Sequence, residues 1–385
     1  MGSLDLIRKY DEYRESTLNL QASENVLSPN AKKALSSDMA SRYSLFVNGY
    51  NAYGGTKYFD ELIEFNEKNI KKLFNAMFCE SRPLSGHISA EISLLSLLQD
   101  NRKIMAISDE NGGYPGYFHN NLEKMFDFNS YEIPYNNFSI DYELLSRKVK
   151  ETKPSIIVLG QSLFIRGYNM KIIREIADKN NTKIIYDGSH VLGLIAGSAF
   201  QTDALKYSDI LLGSTHKTFF GPQGGIILTN NEEIYEKIEE NIVFKTMDNF
   251  NLSRYGALSV SVEEMLSYGK EYAENVVKNS KNLAKELLNS GFGLYYGSEK
   301  TETHQILLDL NFLKEKNYDF LSFSKLMEDN KIIIDRFGRV GVQEITRYGL
   351  NDMKKIAEIF NGIYNKLNIS DEINDIIAKK KLKYW

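Results

Sequence analysis

Residues 208–229 read SDILLGSTHKTFFGPQGGIILT, and this stretch places two apolar runs on either side of a polar segment and a Gly-rich turn. The runs at 210–212 and 226–228 have the length and composition of buried strands. Lys217 lies between them, directly after His216 and just before the turn. A surface lysine usually occupies an exposed helix face, whereas a bend after a buried strand aims the amine into a cleft. The stretch therefore predicts a strand that is followed by a functional lysine.

Short apolar runs alternate with amphipathic stretches upstream of this segment. Residues 154–162 (PSIIVLGQS) and 182–190 (TKIIYDGSH) are typical of buried strands, and residues 171–181 (KIIREIADKNN) carry apolar residues at helical spacing. Strand, helix and strand in this rhythm favour parallel β-α-β units whose sheet is covered by helices. We therefore predict an α/β fold with a mainly parallel sheet.

The carboxyl ends of the predicted strands carry side chains with useful chemistry. Ser162, Asp187 and Lys217 each lie at or just past such an end. Ligands of open α/β sheets bind beyond these ends, so we expect the three side chains at one edge of one sheet. Asp187 against a pyridine-type nitrogen would keep it protonated, and Lys217 would form an imine with an aldehyde cofactor. The alternative is that Asp187 caps a turn and Lys217 is solvated.

Composition excludes several classes of protein. The 385 residues are 42% hydrophobic, which is enough for one large and one smaller domain. The net charge of −4 offers no basic field for a nucleic-acid partner. The single cysteine, Cys79, excludes an intrachain disulfide and fits a reducing compartment. The five histidines and this cysteine lack metal-type spacing, so no metal site is expected.

The beginning of the chain and its apolar runs bear on localisation. Residues 1–15 (MGSLDLIRKYDEYRE) lack the apolar core of a signal peptide, and no apolar run is long enough to span a bilayer. We therefore expect a cytoplasmic protein without a membrane partner.

The chain divides into three predicted segments. Residues 1–25 form an N-terminal arm, residues 26–259 a large cofactor-binding domain, and residues 260–385 a long connecting helix with a small α+β domain. The helical pattern of residues 260–290 ends at Gly291, a residue typical of helix ends. A second helix is predicted after Ser85, where small residues precede an apolar stretch, and its N-terminus would offer N–H groups to an anion. The alternative for Ser85 is a plain N-cap.

Six stretches of the chain resemble motifs of serine hydroxymethyltransferases, in the family's order. They are residues 20–28 (LQASENVLS), 41–55 (SRYSLFVNGYNAYGG), 82–91 (RPLSGHISAE), 186–197 (YDGSHVLGLIAG), 214–225 (STHKTFFGPQGG) and 335–349 (DRFGRVGVQEITRYG). The resemblance implies a fold-type I enzyme that depends on pyridoxal phosphate (PLP). Such an enzyme has an aspartate aminotransferase-like large domain with a mainly parallel sheet, and a small C-terminal α+β domain. It also implies a homodimer with shared active sites.

The resemblance assigns residues to the cofactor. Lys217 would be the Schiff-base lysine, and Asp187 would pair with the pyridine nitrogen. The other expected cofactor contacts are His190 and Ser162 at the phenolic oxygen, Ser85, Gly86 and His87 at the phosphate, Tyr114 stacked on the ring, and Ser214 and His216 beside the lysine.

The resemblance also assigns residues to the substrate. Arg339 matches the arginine that binds the substrate carboxylate, and Ser23 matches the serine that assists it. Arg336 and Arg347 are alternatives for the arginine. Tyr43 and Tyr53 match two catalytic tyrosines that reach across the dimer interface, and both are also expected to contact the substrate.

The chain departs from the family at several positions. Leu45 stands where the family has a proton-shuttling glutamate, and leucine cannot perform acid–base chemistry. Tyr114 replaces the histidine that stacks on the ring. Phe219 or Phe220 replaces an arginine of the lysine motif, and the family's later Gly-rich segment is missing from the region of residues 245–256. These departures place folate contacts in doubt.

We therefore expect an enzyme that makes or breaks the Cα–Cβ bond of a β-hydroxy-α-amino acid, as an aldolase or transaldolase. Its partners would be a small amino acid, such as glycine, and an aldehyde, and it would not use folate. One alternative is an authentic serine/glycine hydroxymethyltransferase with Tyr43 or Tyr114 as proton donor. A decarboxylase or aminotransferase on the same scaffold is another. A non-catalytic protein is disfavoured because Lys217, Asp187, His190 and Arg339 are all retained.

Overall fold

The computed structural model of the chain describes residues 2–47 and 49–385. These residues form two compact units. The large unit is Asn25–Lys270, and the small unit combines the described residues up to Glu24 with Glu271–Trp385. The three-segment division predicted from the sequence, with boundaries near residues 25 and 259, stays a prediction.

The strands of the described residues are short. In chain order they are β1 (Leu18–Asn19), β2 (Phe46–Val47), β3 (Tyr50–Asn51), β4 (Phe78–Glu80), β5 (Lys103–Ala106), β6 (Asn129–Glu132), β7 (Tyr135–Asn136), β8 (Ser139–Ile140), β9 (Ile156–Leu159), β10 (Lys183–Asp187), β11 (Ile210–Ser214), β12 (Gly225–Thr229), β13 (Gln305–Leu307), β14 (Ile332–Ile333) and β15 (Arg339–Gly341).

The helices range from one turn to ten. In chain order they are α1 (Ser3–Glu15), α2 (Pro29–Leu35), α3 (Lys57–Phe74), α4 (Gly86–Leu97), α5 (Leu122–Phe126), α6 (Tyr142–Thr152), α7 (Met170–Asp178), α8 (Leu192–Ala196), α9 (Ala204–Tyr207), α10 (Glu232–Ile242), α11 (Leu252–Asn289), α12 (Leu310–Lys314), α13 (Phe320–Asp329), α14 (Gln343–Arg347), α15 (Met353–Tyr364) and α16 (Ser370–Ala378).

The large unit is built on a seven-stranded sheet in the order β4-β12-β11-β10-β9-β5-β6. Strand β12 runs antiparallel to both of its neighbours, and the other pairs in the sheet are parallel. Strands β9, β11 and β12 are buried along their whole length. Continuous apolar runs of this kind are typical of parallel sheets covered on both faces. The predicted mainly parallel α/β fold is confirmed.

The strand order creates a crevice at one end of this sheet. Strands β5 and β9 are neighbours, but the chain leaves β5 towards β6 and leaves β9 towards β10, on opposite sides. The loops that follow these two strands therefore diverge. In open α/β sheets this divergence at the carboxyl ends marks the place where ligands bind.

Helix α11 corrects the predicted start of the long helix. It begins at Leu252, eight residues before the predicted 260, and ends at Asn289. Residues 252–259 are all buried. A helix segment that is buried all round has no polar face, so its first two turns lack the amphipathic period from which a helix is recognised.

The small unit carries two strand pairs of its own. Strands β13 and β15 pair antiparallel, and β1 pairs in parallel with β14 through Leu18 opposite Ile332 and Asn19 opposite Ile333. Residues near the start of the chain therefore belong to the same unit as its last third. Helices α13 and α15 pack against each other in this unit.

Membrane insertion is not supported by any helix of the described residues. Within 2–47 and 49–385, none combines the length and the apolar composition that a membrane span requires.

Candidate active site

A cavity of about 210 Å³ opens at the carboxyl ends of the strands of the large unit. It is lined by Ser85, Gly86, His87, Tyr114, Gln161, Ser162, Asp187, Ser189, His190, Ser214, His216 and Lys217. All ten residues expected at the cofactor are among them. Their individual roles stay predictions, but the structure brings their side chains to one place.

Asp187 is the last residue of β10, and two donors fix its carboxylate. Oδ1 accepts a hydrogen bond from the backbone N–H of Ser189 at 3.0 Å, and Oδ2 accepts one from the hydroxyl of Tyr117 at 3.2 Å. Burial and the charge of Asp187 raise the pKa of Tyr117 well above its usual value, so the phenol stays a donor. The acid is thus oriented before any ligand arrives.

Gly160, directly after β9, allows the loop to pass close to Asp187. Its φ is +131°, and a Cβ added there would lie 2.2 Å from the backbone oxygen of Asp187. A side chain at this position would push the carboxyl ends of β9 and β10 apart. Ser162, two residues after Gly160, lines the cavity.

The N-terminus of helix α4 forms one wall of the cavity. The Ser85 side chain accepts a hydrogen bond from the N–H of Ile88 at 3.1 Å, so Ser85 is an N-cap, as the alternative interpretation expected. The first N–H groups of a helix have no acceptor within it, and the helix dipole favours an anion there. A Cβ on Gly86 would lie 2.2 Å from Ser214 Oγ, so only glycine lets this helix start so close to β11.

His216 contributes a neutral imidazole to the cavity. Burial, with the charge of Lys217 as a second cause, lowers its pKa to about 4. Its Nδ1 is buried and has no hydrogen-bond partner among the described residues. A buried polar nitrogen that lines a cavity is satisfied most simply by a ligand.

The loop that carries Lys217 is anchored through its backbone and its neighbour. The carbonyl oxygen of Lys217 accepts a hydrogen bond from the Asn25 side chain at 2.9 Å. The hydroxyl of Thr218 donates to the carbonyl of His190 at 2.9 Å and accepts from the N–H of Gly193 at 3.0 Å. Because the loop is tied to the segment after β10, Lys217 and His190 line the same cavity.

Phe219 and Phe220 hold the loop that carries Lys217 through buried aromatic side chains. Both rings are fully buried, and a phenylalanine here replaces the arginine of the resembling motif. The loop is thus held by apolar packing where the family pattern has a charge.

Two residues that line the cavity were missed in the sequence analysis. Ser189 Oγ accepts a hydrogen bond from the N–H of Ser214 at 3.2 Å. The Gln161 side chain accepts from the hydroxyls of Tyr135 and Tyr168 at 2.9 and 2.8 Å. Each is a sequence neighbour of a predicted residue, and adjacency to His190 and Ser162 is the only signal that could have found them.

Tyr114 takes part in a hydrogen-bonded chain that the sequence did not predict. Its hydroxyl lies 2.9 Å from Nδ1 of His87, and Nε2 of His87 lies 3.1 Å from Oε1 of Glu91. Glu91 is one helical turn after His87, so both side chains lie on one face of α4.

Tyr43 and Tyr53 do not line this cavity. Their ring centroids are 4.7 Å apart, and they border a second cavity of about 680 Å³ in the large unit. Tyr43 is 40% exposed and Tyr53 49% exposed, and the Tyr43 hydroxyl donates to Asp248 at 2.8 Å. Within a single chain the structure therefore does not bring them to Lys217.

The predicted substrate-binding residues Arg339 and Ser23 belong to the small unit. The guanidinium of Arg339 pairs with the carboxylate of Asp335, whose other oxygen accepts the backbone N–H of Arg339 at 3.0 Å. Of the two alternative arginines, Arg336 is exposed and Arg347 is fully buried. Their role in carboxylate binding stays a prediction.

The residues of the cavity around Lys217 fit PLP. An oriented carboxylate, a primary amine, a helix N-terminus and a buried, unsatisfied imidazole nitrogen share one space. The first three of these groups match a pyridine nitrogen, an aldehyde and a phosphate in turn. Asp187, Lys217 and the first turn of α4 would hold the cofactor.

Comparison with known proteins gives a consistent result. The family model described as serine hydroxymethyltransferase matches residues 3–338. A serine hydroxymethyltransferase from Methanothermobacter marburgensis is 34% identical over 395 aligned residues, which cover 97% of this chain and 92% of that protein. Those from Thermococcus gammatolerans (33%; 94% and 89% covered) and Methanocaldococcus jannaschii (32%; 93% and 88% covered) are similar to the same extent.

Proposed function

The chain belongs to the serine hydroxymethyltransferase family, and on that premise we propose that it makes or breaks the Cα–Cβ bond of β-hydroxy-α-amino acids without folate. It is a fold-type I, PLP-dependent enzyme of the hydroxymethyltransferase type. The proposal concerns the finer reaction: glycine and an aldehyde are joined or released, as in an aldolase or transaldolase. The shared cavity of Lys217 and Asp187 is the observation that carries it.

PLP, when bound, supplies an electron sink that lets a bond to the Cα of an amino acid break. Asp187 would hold the proton on the ring nitrogen, because an ionised carboxylate at that nitrogen favours its charged form. Lys217 would bind the cofactor's aldehyde carbon and then move a proton at Cα. The start of α4 would bind the phosphate, and neutral His216 offers one further hydrogen bond.

Leu45 supports the folate-independent form of the reaction. It is half-buried, and its backbone is fixed by hydrogen bonds with Asn51 and Ala52. An apolar side chain at this position cannot exchange a proton with a one-carbon unit. It would also favour an aldehyde larger than formaldehyde.

A single screen tests the proposed function. The purified holoenzyme would be incubated with serine, threonine, allo-threonine or glycine plus acetaldehyde, each with and without tetrahydrofolate, and products identified by mass. We expect cleavage of the larger β-hydroxy amino acids and slow serine turnover that tetrahydrofolate does not change. Serine cleavage that is stimulated many-fold by saturating tetrahydrofolate would contradict the proposal.

The second candidate function is authentic serine/glycine hydroxymethyl transfer with tetrahydrofolate. The names of the relatives favour it, because each is called a serine hydroxymethyltransferase. A substitute for the proton chemistry absent at Leu45 would then come from Tyr43 or Tyr114. The same screen separates the two candidates through the effect of tetrahydrofolate on serine.

We also propose that the active enzyme is a homodimer with shared sites. Tyr43 and Tyr53 are exposed in the single chain, and this is the observation that supports it. Complementation provides the test: Lys217→Ala and Tyr53→Phe are each expected to be inactive alone and to regain activity when mixed. Absence of recovery, with a dimer confirmed by light scattering, would place Tyr53 outside the partner's site.

A further inference from the structure

The Tyr114–His87–Glu91 chain has the hydrogen-bonding pattern of a proton relay. Both ring nitrogens of His87 are engaged, Nδ1 at 2.9 Å from the Tyr114 hydroxyl and Nε2 at 3.1 Å from the Glu91 carboxylate. With Nε2 protonated, the imidazole donates to the carboxylate and accepts the phenolic proton at Nδ1. A carboxylate, an imidazole and a hydroxyl in this order activate the hydroxyl in many unrelated sites.

The relay ends inside the active-site cavity. Tyr114 and His87 line it together with Lys217 and Asp187. Glu91 lies behind them, with only 12% of its side chain exposed, so its charge faces His87 and not the solvent. Gly116 makes room for the arrangement, because a Cβ there would lie 2.3 Å from Cε1 of the Tyr114 ring.

The electrostatics of the three groups suit proton transfer. The hydrogen bond that His87 donates to Glu91 raises the pKa of His87, with the charge of Asp187 adding to the effect, so the imidazole is a stronger base than usual. Burial raises the pKa of Tyr114, which keeps its hydroxyl protonated at neutral pH. Tyr114 is therefore a poor base alone and needs a neighbour that takes its proton.

We propose that Tyr114 is the acid–base catalyst for the β-hydroxyl of the substrate and that it acts through His87 and Glu91. The inference rests on the proposed Cα–Cβ cleavage. As the carbonyl of the leaving aldehyde forms, the hydroxyl proton passes to Tyr114 Oη while the phenolic proton passes to Nδ1 of His87. The electrons of the Cα–Cβ bond go to Cα, and the imidazolium is paired with the Glu91 carboxylate. Condensation runs the same transfers in reverse.

Two reactions of the same enzyme, allo-threonine cleavage and exchange of the glycine Cα proton, separate the role of Tyr114 at the β-hydroxyl from a role in holding the cofactor. Tyr114→Phe keeps the ring and removes the hydroxyl, so allo-threonine cleavage should lose about 10²- to 10⁴-fold in kcat, with a much smaller change in KM. Exchange of the glycine Cα proton in D₂O, followed by NMR, involves no β-hydroxyl and should be retained. Equal losses in both reactions would show that Tyr114 only holds the cofactor and would overturn the proposal.

The pH profile tests the residues that act through Tyr114. His87 is faced by Glu91 on its own helix, by Tyr114 from the loop after β5, and by Asp187 from β10. Glu91→Gln removes the carboxylate that raises the pKa of His87, so the acid limb of kcat/KM for cleavage should move to lower pH. A merely structural role would leave that limb in place.

A matched control is available elsewhere in the same unit. His119 pairs with Asp109 at 2.9 Å, but it is exposed and does not line the cavity. His87→Asn should reduce cleavage by about 10²-fold, the lower end of a general acid–base effect, while His119→Asn should leave it unchanged. Equal effects of the two substitutions would overturn the relay.

The outcomes also separate the relay from the proposed function. A wild-type enzyme that exchanges the glycine Cα proton but cleaves no β-hydroxy amino acid contradicts the proposed function, and the role of Tyr114 at the β-hydroxyl falls with it. A wild-type enzyme that cleaves allo-threonine, with a Tyr114→Phe variant that cleaves it equally fast, contradicts the relay alone.

Discussion

At the residue scale, the clearest prediction is that Lys217 forms the covalent bond to the cofactor. Lys217 is the lysine that lines the cavity with Asp187 and the start of α4. Lys217→Ala should abolish the fixing of PLP to the protein by borohydride. The matched control is Lys245→Ala, because Lys245 bonds Asn241 and does not line the cavity. Mass mapping of reduced PLP to any other lysine would overturn the site assignment.

Asp187 should act through charge and not through shape. Asp187→Asn keeps the size of the side chain but cannot hold the ring nitrogen protonated. We expect glycine Cα–H exchange to fall by about 10²-fold or more, the scale of one preorganised electrostatic contact. Tyr117→Phe removes only one donor to the carboxylate and should cost far less. Near-normal exchange in Asp187→Asn would contradict the electron-sink role.

Arg339 should affect substrate binding and not the chemical step. Arg339→Ala should raise KM for amino acids more than it lowers kcat, because in its predicted role the guanidinium would contact the substrate carboxylate in the ground and transition states alike. Asp335→Ala provides the comparison, since it removes the carboxylate that pairs with the guanidinium. An unchanged KM in Arg339→Ala would move the role to Arg336 or Arg347.

At the scale of elements, the close contact between α4 and β11 should be sensitive to a single methyl group. Gly86→Ala would place a Cβ 2.2 Å from Ser214 Oγ and 3.1 Å from Ser189 Oγ. Overpacking of this kind costs about 1–3 kcal/mol, and a shift of the helix start that relieves it would also move the N–H groups from the predicted phosphate position. We expect weaker PLP binding by fluorescence titration.

The control for this prediction lies two turns further along α4. Ser93 is buried, and among the described residues its hydroxyl bonds only the carbonyl of Ser89 in the same helix. Ser93→Ala should therefore change PLP affinity little. Equal affinities of Gly86→Ala and the wild type would mean that the helix start is not the phosphate site.

The same elements show what a sequence can predict. Strands β9 to β12 were predicted because each is a short apolar run that ends in polar residues. Ser162, Asp187 and Lys217 were expected at one sheet edge because they lie at or just past the ends of three of those runs, and the resemblance assigned the other seven cofactor residues. The Tyr114–His87–Glu91 chain was not predicted. It depends on the side-chain conformations of residues on α4 and on a loop that is distant in the sequence. The start of α11 was missed because eight consecutive buried residues carry no amphipathic period.

At the scale of the whole molecule, one chain does not contain every predicted catalytic group in one place. Tyr43 and Tyr53 border a cavity that is separate from the one around Lys217. Sequence motifs indicate which residues act together, but they carry no information about which copy of the chain supplies each residue. The proposed second subunit would account for this separation, which is why the complementation test bears on the assembly as well as on the site.

The stability of the whole molecule should depend on a carboxyl group far from catalysis. Burial, followed by the charge of Glu80, raises the pKa of Glu67 from 4.5 to about 7. Folding therefore favours the protonated acid. Its stabilising contribution is complete below about pH 4.5 and is lost as the pH rises through about 7.

Glu67→Gln mimics the protonated acid at every pH and should remove this dependence. Histidines also titrate in this pH range, so the absolute stability of the wild type is not informative. The informative quantity is the difference in free energy of unfolding between the wild type and Glu67→Gln. It would be measured by urea denaturation at several pH values from 4.5 to 8. That difference should shift in favour of Glu67→Gln as the pH rises from about 4.5 to about 7, and it should level off above that. Glu64→Gln, an exposed position on the same helix, should show no such trend. A difference that is constant with pH would show that Glu67 titrates alike in the folded and unfolded chains.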